Sequence, residues 1–362
     1  MEDILIVGWG AVAILYGYTL HCSGKVRLTV VARSNYEVAK SGKITIASHQ
    51  FGNVTDFIPE RVVGSVAEAA DRSYTFVLIT TKAFPDVLPT SKLLEPFLSR
   101  SYTYPQPTYA ILQNGLGVEK DLYAGLSKRM PFASPQIINC AVYCGANLMG
   151  NVMRHPTGLV CLPSSFSEIA TKTRDHGKPK LTIGLFNLQE SSKVEARVDG
   201  SNVTWFKNLM EAGGVVTIAE DIQAAKFRKN IWNAAFATFS CLTRVPPSFY
   251  TATPELWKRV IPLFRETGEE IVAVGRAMGY SEKYLPADSV QVVIDTDAAF
   301  YTDVESDLKP STLLDIEANK PFEVEVIVGE VVRAGRQLGV PTPRMDAIYT
   351  MLSVVQAHIL KG

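Results

Sequence analysis

Short runs that are apolar at every position mark the first half of the chain. Residues 3–8 (Asp-Ile-Leu-Ile-Val-Gly) predict a buried strand ending at a glycine turn, and residues 10–22 carry small and apolar side chains compatible with a helix. Arg27–Ala32, Thr75–Thr80 and Thr108–Leu112 repeat the strand signature. Strands apolar on both faces belong in a parallel sheet covered by helices, so the pattern predicts a doubly wound α/β domain. A polar stretch at about 164–180, rich in Ser, Thr and Lys, has little to bury and reads as a solvated surface insertion. Leu181–Gly184 resumes a strand. A helix near Val203–Ala212, ended by Gly213-Gly214, and a short strand Val215–Ile218 complete this domain, residues 1–219.

From Asp221 onward the period changes. Amphipathic patterns cover roughly 221–243, 254–278, 311–318, 321–338 and 343–360. Pro321 suits a helix first-turn position, and Gly339 with Pro341 ends that helix. The expectation is therefore α/β: an N-terminal Rossmann-type doubly wound parallel sheet followed by an all-α C-terminal domain, residues 220–362.

Composition narrows the function classes. At 362 residues the chain is too long for one small core, and 47% apolar with 20% charged residues is ordinary for a globular protein. Lysine plus arginine (36) balance aspartate plus glutamate (36), so no global field favours nucleic acid or an anionic membrane. No apolar run is long enough for a membrane span. The chain enters a strand at once, with no basic region before an apolar one, which argues against a signal peptide. Five cysteines (Cys22, Cys140, Cys144, Cys161, Cys241) are scattered without a CxxC pair and read as reduced, mostly buried thiols, in keeping with a cytoplasmic protein. Five histidines form no cluster with cysteine at ligand spacing, so no metal site is expected.

Two constellations carry chemistry. Gly8-x-Gly10-x-x-Ala13 follows a strand and opens a helix. The first glycine permits the tight turn, the second lets the backbone approach a pyrophosphate, and the small third residue allows close helix–strand packing, with the N–H groups around Ala11 and Val12 facing the phosphates. After the second strand stands Arg33-Ser34 where an acid would accept ribose hydroxyls; an arginine can instead pair with a 2′-phosphate, so NADP(H) is favoured. Lys229, Asn233 and Ala237 recur every fourth residue along one helical stripe, and Lys226 with Asn230 form a second pair at the same spacing. Apolar residues surround this helix, and a lysine buried there needs a reason to be.

With these motifs in order, the chain resembles the ketopantoate reductase family (2-dehydropantoate 2-reductase) over nearly its whole length. The resemblance is carried by Gly8-Trp-Gly10, Thr80-Thr-Lys82-Ala83, Gln113-Asn114-Gly115-Leu116-Gly117, His155-Pro-Thr-Gly158, Arg228-Lys229-x-x-x-Asn233, and Ser311-x-x-x-Asp315 leading to Pro321-x-Glu323. It implies reduction of a 2-keto acid to a 2-hydroxy acid by NADPH, with ketopantoate and pantothenate biosynthesis the leading candidates. Another small keto acid or an imine, or NADPH binding without turnover, are the alternatives. The resemblance makes Lys229 the catalytic lysine that stabilises the developing alkoxide, with Lys226 as the other register. Glu323 becomes a substrate hydroxyl acceptor or a partner of Lys229, although the helix dipole also explains an acid there. Asn114, Asn233 and Ser311 would hold substrate. The plainer alternatives are a turn residue for Asn114 and a helix N-cap for Ser311. Lys82 and Asn114 would lie beside the cofactor. Helical second domains of this kind often pair, so a homodimer is among the expectations. One departure stands out: the family pattern usually has a second asparagine where this chain has Ala237. Either a neighbour such as Thr238 compensates or the substrate is not ketopantoate.

Overall fold

The structure is a computed structural model that describes residues 1–155, 178–186, 201–301 and 309–361. The proposed surface insertion at about 164–180 lies mostly outside the described residues, as does His155-Pro-Thr-Gly158 beyond its histidine. The chain divides into two compact units. One holds residues 1–83, 87–113 and 118–222; the other holds 84–86, 114–117 and 223–362.

In the first unit the strands are, in chain order, β1 (Glu2–Val7), β2 (Val26–Val31), β3 (Thr45–Ser48), β4 (Gly52–Val54), β5 (Arg61–Val63), β6 (Phe76–Ile79), β7 (Thr108–Ile111), β8 (Ile137–Tyr143), β9 (Asn147–Met149), β10 (Val152–His155), β11 (Lys180–Leu185) and β12 (Val215–Ile218). Eight form one sheet in the order β12-β11-β8-β7-β6-β1-β2-β5. Ile4 to Val7 and Phe76 to Ile79 are fully buried, the two-faced burial that apolar runs foretell. Helix Ala11–Cys22 packs its small residues against this sheet: a Cβ on Gly17 would sit 3.3 Å from Ile6 Cδ1 of β1.

The sheet is mixed rather than parallel. β11 runs antiparallel to β8, and β12 pairs parallel with β11, so the two strands at that edge oppose the rest. Among the described residues, the chain between β8 and β11 contains the short strands β9 and β10. A second sheet, β4-β3-β10-β9, was not foreseen. Its strands are three or four residues long and partly exposed, too short to show a period.

The second unit is helical. Its main elements are Ile222–Trp232, Thr238–Thr243, Pro254–Ala277, Ser289–Phe300, Ser311–Glu317, Glu330–Leu338 and Pro343–Lys361. The long helix Pro254–Ala277 admits its neighbours closely at glycines. A Cβ on Gly268 would meet Val290 at 2.6 Å, and one on Gly275 would meet Leu285 and Phe227 at 2.6 and 2.7 Å. The same helix presents buried Glu270, which accepts the backbone N–H groups of Arg344 (3.1 Å) and Met345 (3.0 Å) and so caps the last helix.

Three helical details differ from expectation. The stretch 221–243 is broken by a π-helical turn at Asn233–Ala237, which changes the register, so counting in fours assigns nothing beyond Asn233 to the Lys229 stripe. The helix expected to begin at Pro321 begins at Val324 and passes through a second π turn, Glu325–Gly329. Glu323 therefore stands just before the helix, its carbonyl accepting Ile327 N–H at 3.1 Å. Ser311 is the exposed first residue of its helix, with Pro310 in the cap position, so it is not an N-cap.

Candidate functional site

The glycine turn after β1 is set by its own geometry. Gly8 has φ +99°, a region that L side chains rarely adopt, and a Cβ there would meet Thr81 Cγ2 at 3.0 Å and Thr80 Oγ1 at 3.1 Å. The Thr80 hydroxyl donates to Val7 O (2.9 Å), and Asn35 Nδ2 donates to Trp9 O (2.6 Å), fixing the turn from two sides. Gly10 differs: its backbone is extended, and a Cβ placed on it would meet nothing within 4 Å. No contact within the protein demands glycine at that position. The helix that starts at Ala11 has no side-chain cap and no acid in its first turn. These residues fit a dinucleotide pyrophosphate.

Arg33 is exposed, two residues past the end of β2, and among the described residues it forms no ion pair. Lys82 is half-buried, three residues past the end of β6. Beside it, buried Gln113 donates from Nε2 to Thr81 Oγ1 (3.2 Å), tying the ends of β6 and β7 together.

In the helical unit, Lys229 Nζ donates to Asn114 Oδ1 at 2.6 Å, joining residues 115 positions apart. Lys229 is half-buried, as is Asn114. Asn114 owes its place to a tight loop. Gly115 has φ +84°, and a Cβ there would strike Val326 at 2.4 Å, so only glycine allows this approach. The next residue, Leu116, donates its N–H to Val326 O at 2.8 Å.

The other candidates are distributed as follows. Asn233 is buried at the first position of its π turn. Glu323 is only 2% exposed, a carboxyl held almost out of water. Lys226 is 4% exposed, deeper than Lys229, and it is Lys229 that reaches Asn114. Ser311 is exposed at a helix start. Ala237 is buried. The neighbouring Thr238 hydroxyl, offered as a substitute for the missing asparagine, donates to Ala234 O at 2.6 Å within its own helix.

The partners of three residues at these sites are not read from the sequence. Asn35 holds the Trp9 carbonyl, Gln113 links two strand ends, and Asn230, 1% exposed, donates from Nδ2 to Ile327 O at 2.8 Å. Asn230 shares its four-residue spacing with Lys226, but nothing in the sequence points it at the π turn.

The described residues contain no group of three or more histidine, cysteine or acidic side chains placed to hold a metal ion, and no helix long and apolar enough to cross a membrane.

Residues 4–159 match the family described as Ketopantoate reductase PanE/ApbA, and residues 221–356 match its C-terminal part. A 2-dehydropantoate 2-reductase of Pyrobaculum aerophilum is 23% identical over 99% of both chains. An uncharacterized protein of Saccharomyces cerevisiae is 24% identical over 99% of this chain and 95% of its own. Among solved structures, 2-dehydropantoate 2-reductase from Methylococcus capsulatus aligns with TM-score 0.69 and 25% identity over 99% of this chain and 97% of that one. The fold also aligns with D-mandelate dehydrogenase, at TM-score 0.71 and 18% identity over 99% of both chains. An open glycine turn at one helix start, a lysine bonded to a loop asparagine, and both halves of one family matched in order lead to one statement: the chain belongs to the ketopantoate reductase family, a family of oxidoreductases.

Proposed function

We propose that this protein reduces a 2-keto acid to a 2-hydroxy acid with NADPH, and that 2-dehydropantoate is the first substrate to test. The observation that carries the reading is the Lys229–Asn114 pair, 2.6 Å apart and half-buried. A bound NADPH supplies the hydride. The protein's part is to hold the substrate and manage the charge that builds on its carbonyl oxygen.

Lys229 gives a hydrogen bond or a proton to that oxygen. A cation aimed at charge that exists only in the transition state lowers the barrier selectively, because the ground state gains less from it. Asn114 holds the amine through Oδ1 and so orients it before substrate arrives. Glu323, Asn233 and Ser311 are assigned to substrate hydroxyl and carboxylate groups, as in the family pattern. The carboxylate of Glu323, almost wholly removed from water, is suited to a specific hydroxyl donor and penalises substrates that lack one.

On the cofactor side, Gly8, Gly10, Ala11, Val12 and Ala13 receive the pyrophosphate and Lys82 lies at a neighbouring strand end. Arg33, exposed where a ribose-binding acid would otherwise stand, pairs with the 2′-phosphate of NADPH. The chain is taken to act in the cytoplasm, as one of two copies.

A second substrate reading has its own support. Ala237 offers no hydrogen bond, and the Thr238 hydroxyl proton is committed to Ala234. Nearby, Phe236 and Phe264 stack with ring centroids 3.9 Å apart, and Phe239, Tyr250 and Trp257 join the same cluster. Without a hydrogen bond from position 237, the second reading is a keto acid with a larger apolar substituent. NADPH oxidation across a panel of 2-keto acids, with NADH as comparator, decides between them. The first reading predicts the highest kcat/KM for 2-dehydropantoate; higher values for branched or aromatic keto acids establish the second. No turnover with any of them overturns both.

A further inference from the structure

Both members of the Lys229–Asn114 pair are tied to one short element, the π turn Glu325–Gly329. Leu116 N–H, two residues from Asn114, bonds the carbonyl of Val326 at 2.8 Å. Asn230 Nδ2, one residue from Lys229, bonds the carbonyl of Ile327 at 2.8 Å. These are consecutive carbonyls. An α-helix spends its carbonyls on its own N–H groups four residues on; a switch to five-residue pairing disturbs that ladder and lets carbonyls take donors from outside.

The turn is itself clamped. Glu325 accepts the Tyr349 hydroxyl (2.8 and 3.0 Å) and Arg333 Nη1 (2.6 Å). Arg333 Nη2 reaches back to the Glu325 carbonyl at 3.0 Å and to Glu330 Oε1 at 2.8 Å. Gly329, the last residue of the turn, keeps room for this cluster: a Cβ on it would meet Arg333 Nη1 at 2.9 Å and Glu325 Oε2 at 3.0 Å. Four side chains and one glycine thus fix a conformation that the backbone alone does not favour.

We propose that Glu325, with Arg333 and Tyr349, is a positioning residue. It holds the π turn in the form whose Val326 and Ile327 carbonyls set Asn114 and Lys229 against each other. Glu325 touches neither member of the pair; it acts through the turn. The proposal rests on the reading that Lys229 is the catalytic lysine.

The test compares wild type, Glu325→Ala, Glu325→Gln, Tyr349→Phe and Asn114→Ala by two readouts. Hydrogen exchange reads the turn without activity. In Glu325→Ala the peptide covering 114–118 exchanges at least tenfold faster, because Leu116 N–H loses its acceptor, while peptides from β1 and β6 keep their protection. Kinetics with 2-keto acid and NADPH read the consequence. Glu325→Ala lowers kcat at least tenfold with KM for NADPH unchanged, and Glu325→Gln and Tyr349→Phe fall between it and wild type. In an Asn114→Ala background, Glu325→Ala lowers kcat by less than threefold further, since the pair it positions is already broken.

Unchanged exchange at 114–118, or full additivity of the two alanine substitutions, overturns the proposal. If Glu325→Ala fails to fold, the Glu325→Gln and Tyr349→Phe variants carry the same tests. Should Lys229→Ala retain full turnover, the catalytic reading falls separately, while the exchange result still decides whether Glu325 holds the turn.

Discussion

Lys229 shows how little separates a structural side chain from a chemical one. Its spacing with Asn233 is ordinary for a helix, and a lysine stem packed on apolar neighbours is a common feature. What distinguishes it is the 2.6 Å bond to Asn114, a residue 115 positions away. No reading of local sequence reveals that contact; only the resemblance to a family placed the two residues in one site. Arg33 is singled out for the opposite reason, since its place after the second strand suggests a task. Its exposure leaves the guanidinium available. Arg33→Ala is expected to weaken NADPH binding about tenfold or more while leaving NADH little changed, in line with about 1.5–3 kcal/mol for a charged hydrogen bond. Isothermal titration with the two cofactors measures this, and equal loss for both would remove the 2′-phosphate assignment.

His155 makes a prediction of another kind. Burial, with the His49 charge adding to it, pushes its imidazole down from the usual 6.5 to about 4. Its Nδ1 lies 3.0 Å from Ser48 Oγ, inside the small sheet. The folded state holds the neutral form, so the unfolded chain takes up the proton first as pH falls. Stability is complete above about pH 6.5 and is lost progressively between there and pH 4, up to about 3 kcal/mol for this one group. Chemical denaturation across that range should show a shallower acid decline in His155→Gln than in wild type. Parallel curves would show that His155 does not titrate in this way.

Among the elements, long periodic segments read well and special ones did not. The buried strands β1, β2, β6 and β7 announce themselves by unbroken apolar runs, and the terminal helices by their amphipathic period. β8, Ile137–Tyr143, is as apolar but is absent from the sequence reading, since a short apolar run does not by itself tell a strand from a buried helix. The two π turns are invisible because an inserted residue alters hydrogen-bond register without altering composition. The loop at 114–117 depends on the second of these turns. Gly115→Ala must force a left-handed residue and a clash with Val326 together; the backbone strain alone costs about 1–2 kcal/mol. We expect it to lower both the denaturation midpoint and kcat. Glu270→Ala is a control in the same unit: it leaves the N–H groups of Arg344 and Met345 without their acceptor and should cost about 1–3 kcal/mol. The midpoint of denaturation should fall with kcat preserved at low temperature. A loss of kcat equal to that of Gly115→Ala would mean that the helical unit responds as a whole rather than through the loop.

For the molecule as a whole, the two halves were legible as classes, α/β followed by α, since periodicity survives wherever a face must be buried. The edge of the sheet was not. β11 and β12 run against the other six strands, and nothing in the apolar pattern of a strand fixes its direction. The candidate residues are spread over both halves of the sequence: glycines and Arg33 in one, Lys229, Glu323 and Asn233 in the other. Each half carries its part with local geometry that suits it. A Cβ on Gly10 would meet nothing within 4 Å, and the Lys229 amine is held by Asn114 Oδ1 at 2.6 Å.

The catalytic assignment is tested most directly by single-turnover reduction of a 2-keto acid, NADPH-saturated, in wild type and Lys229→Ala. The account predicts a fall in the rate constant of about 10²–10³, the loss typical of one donor to a developing oxyanion, with NADPH affinity retained. A Lys229→Ala enzyme that turns over at the wild-type rate would contradict it.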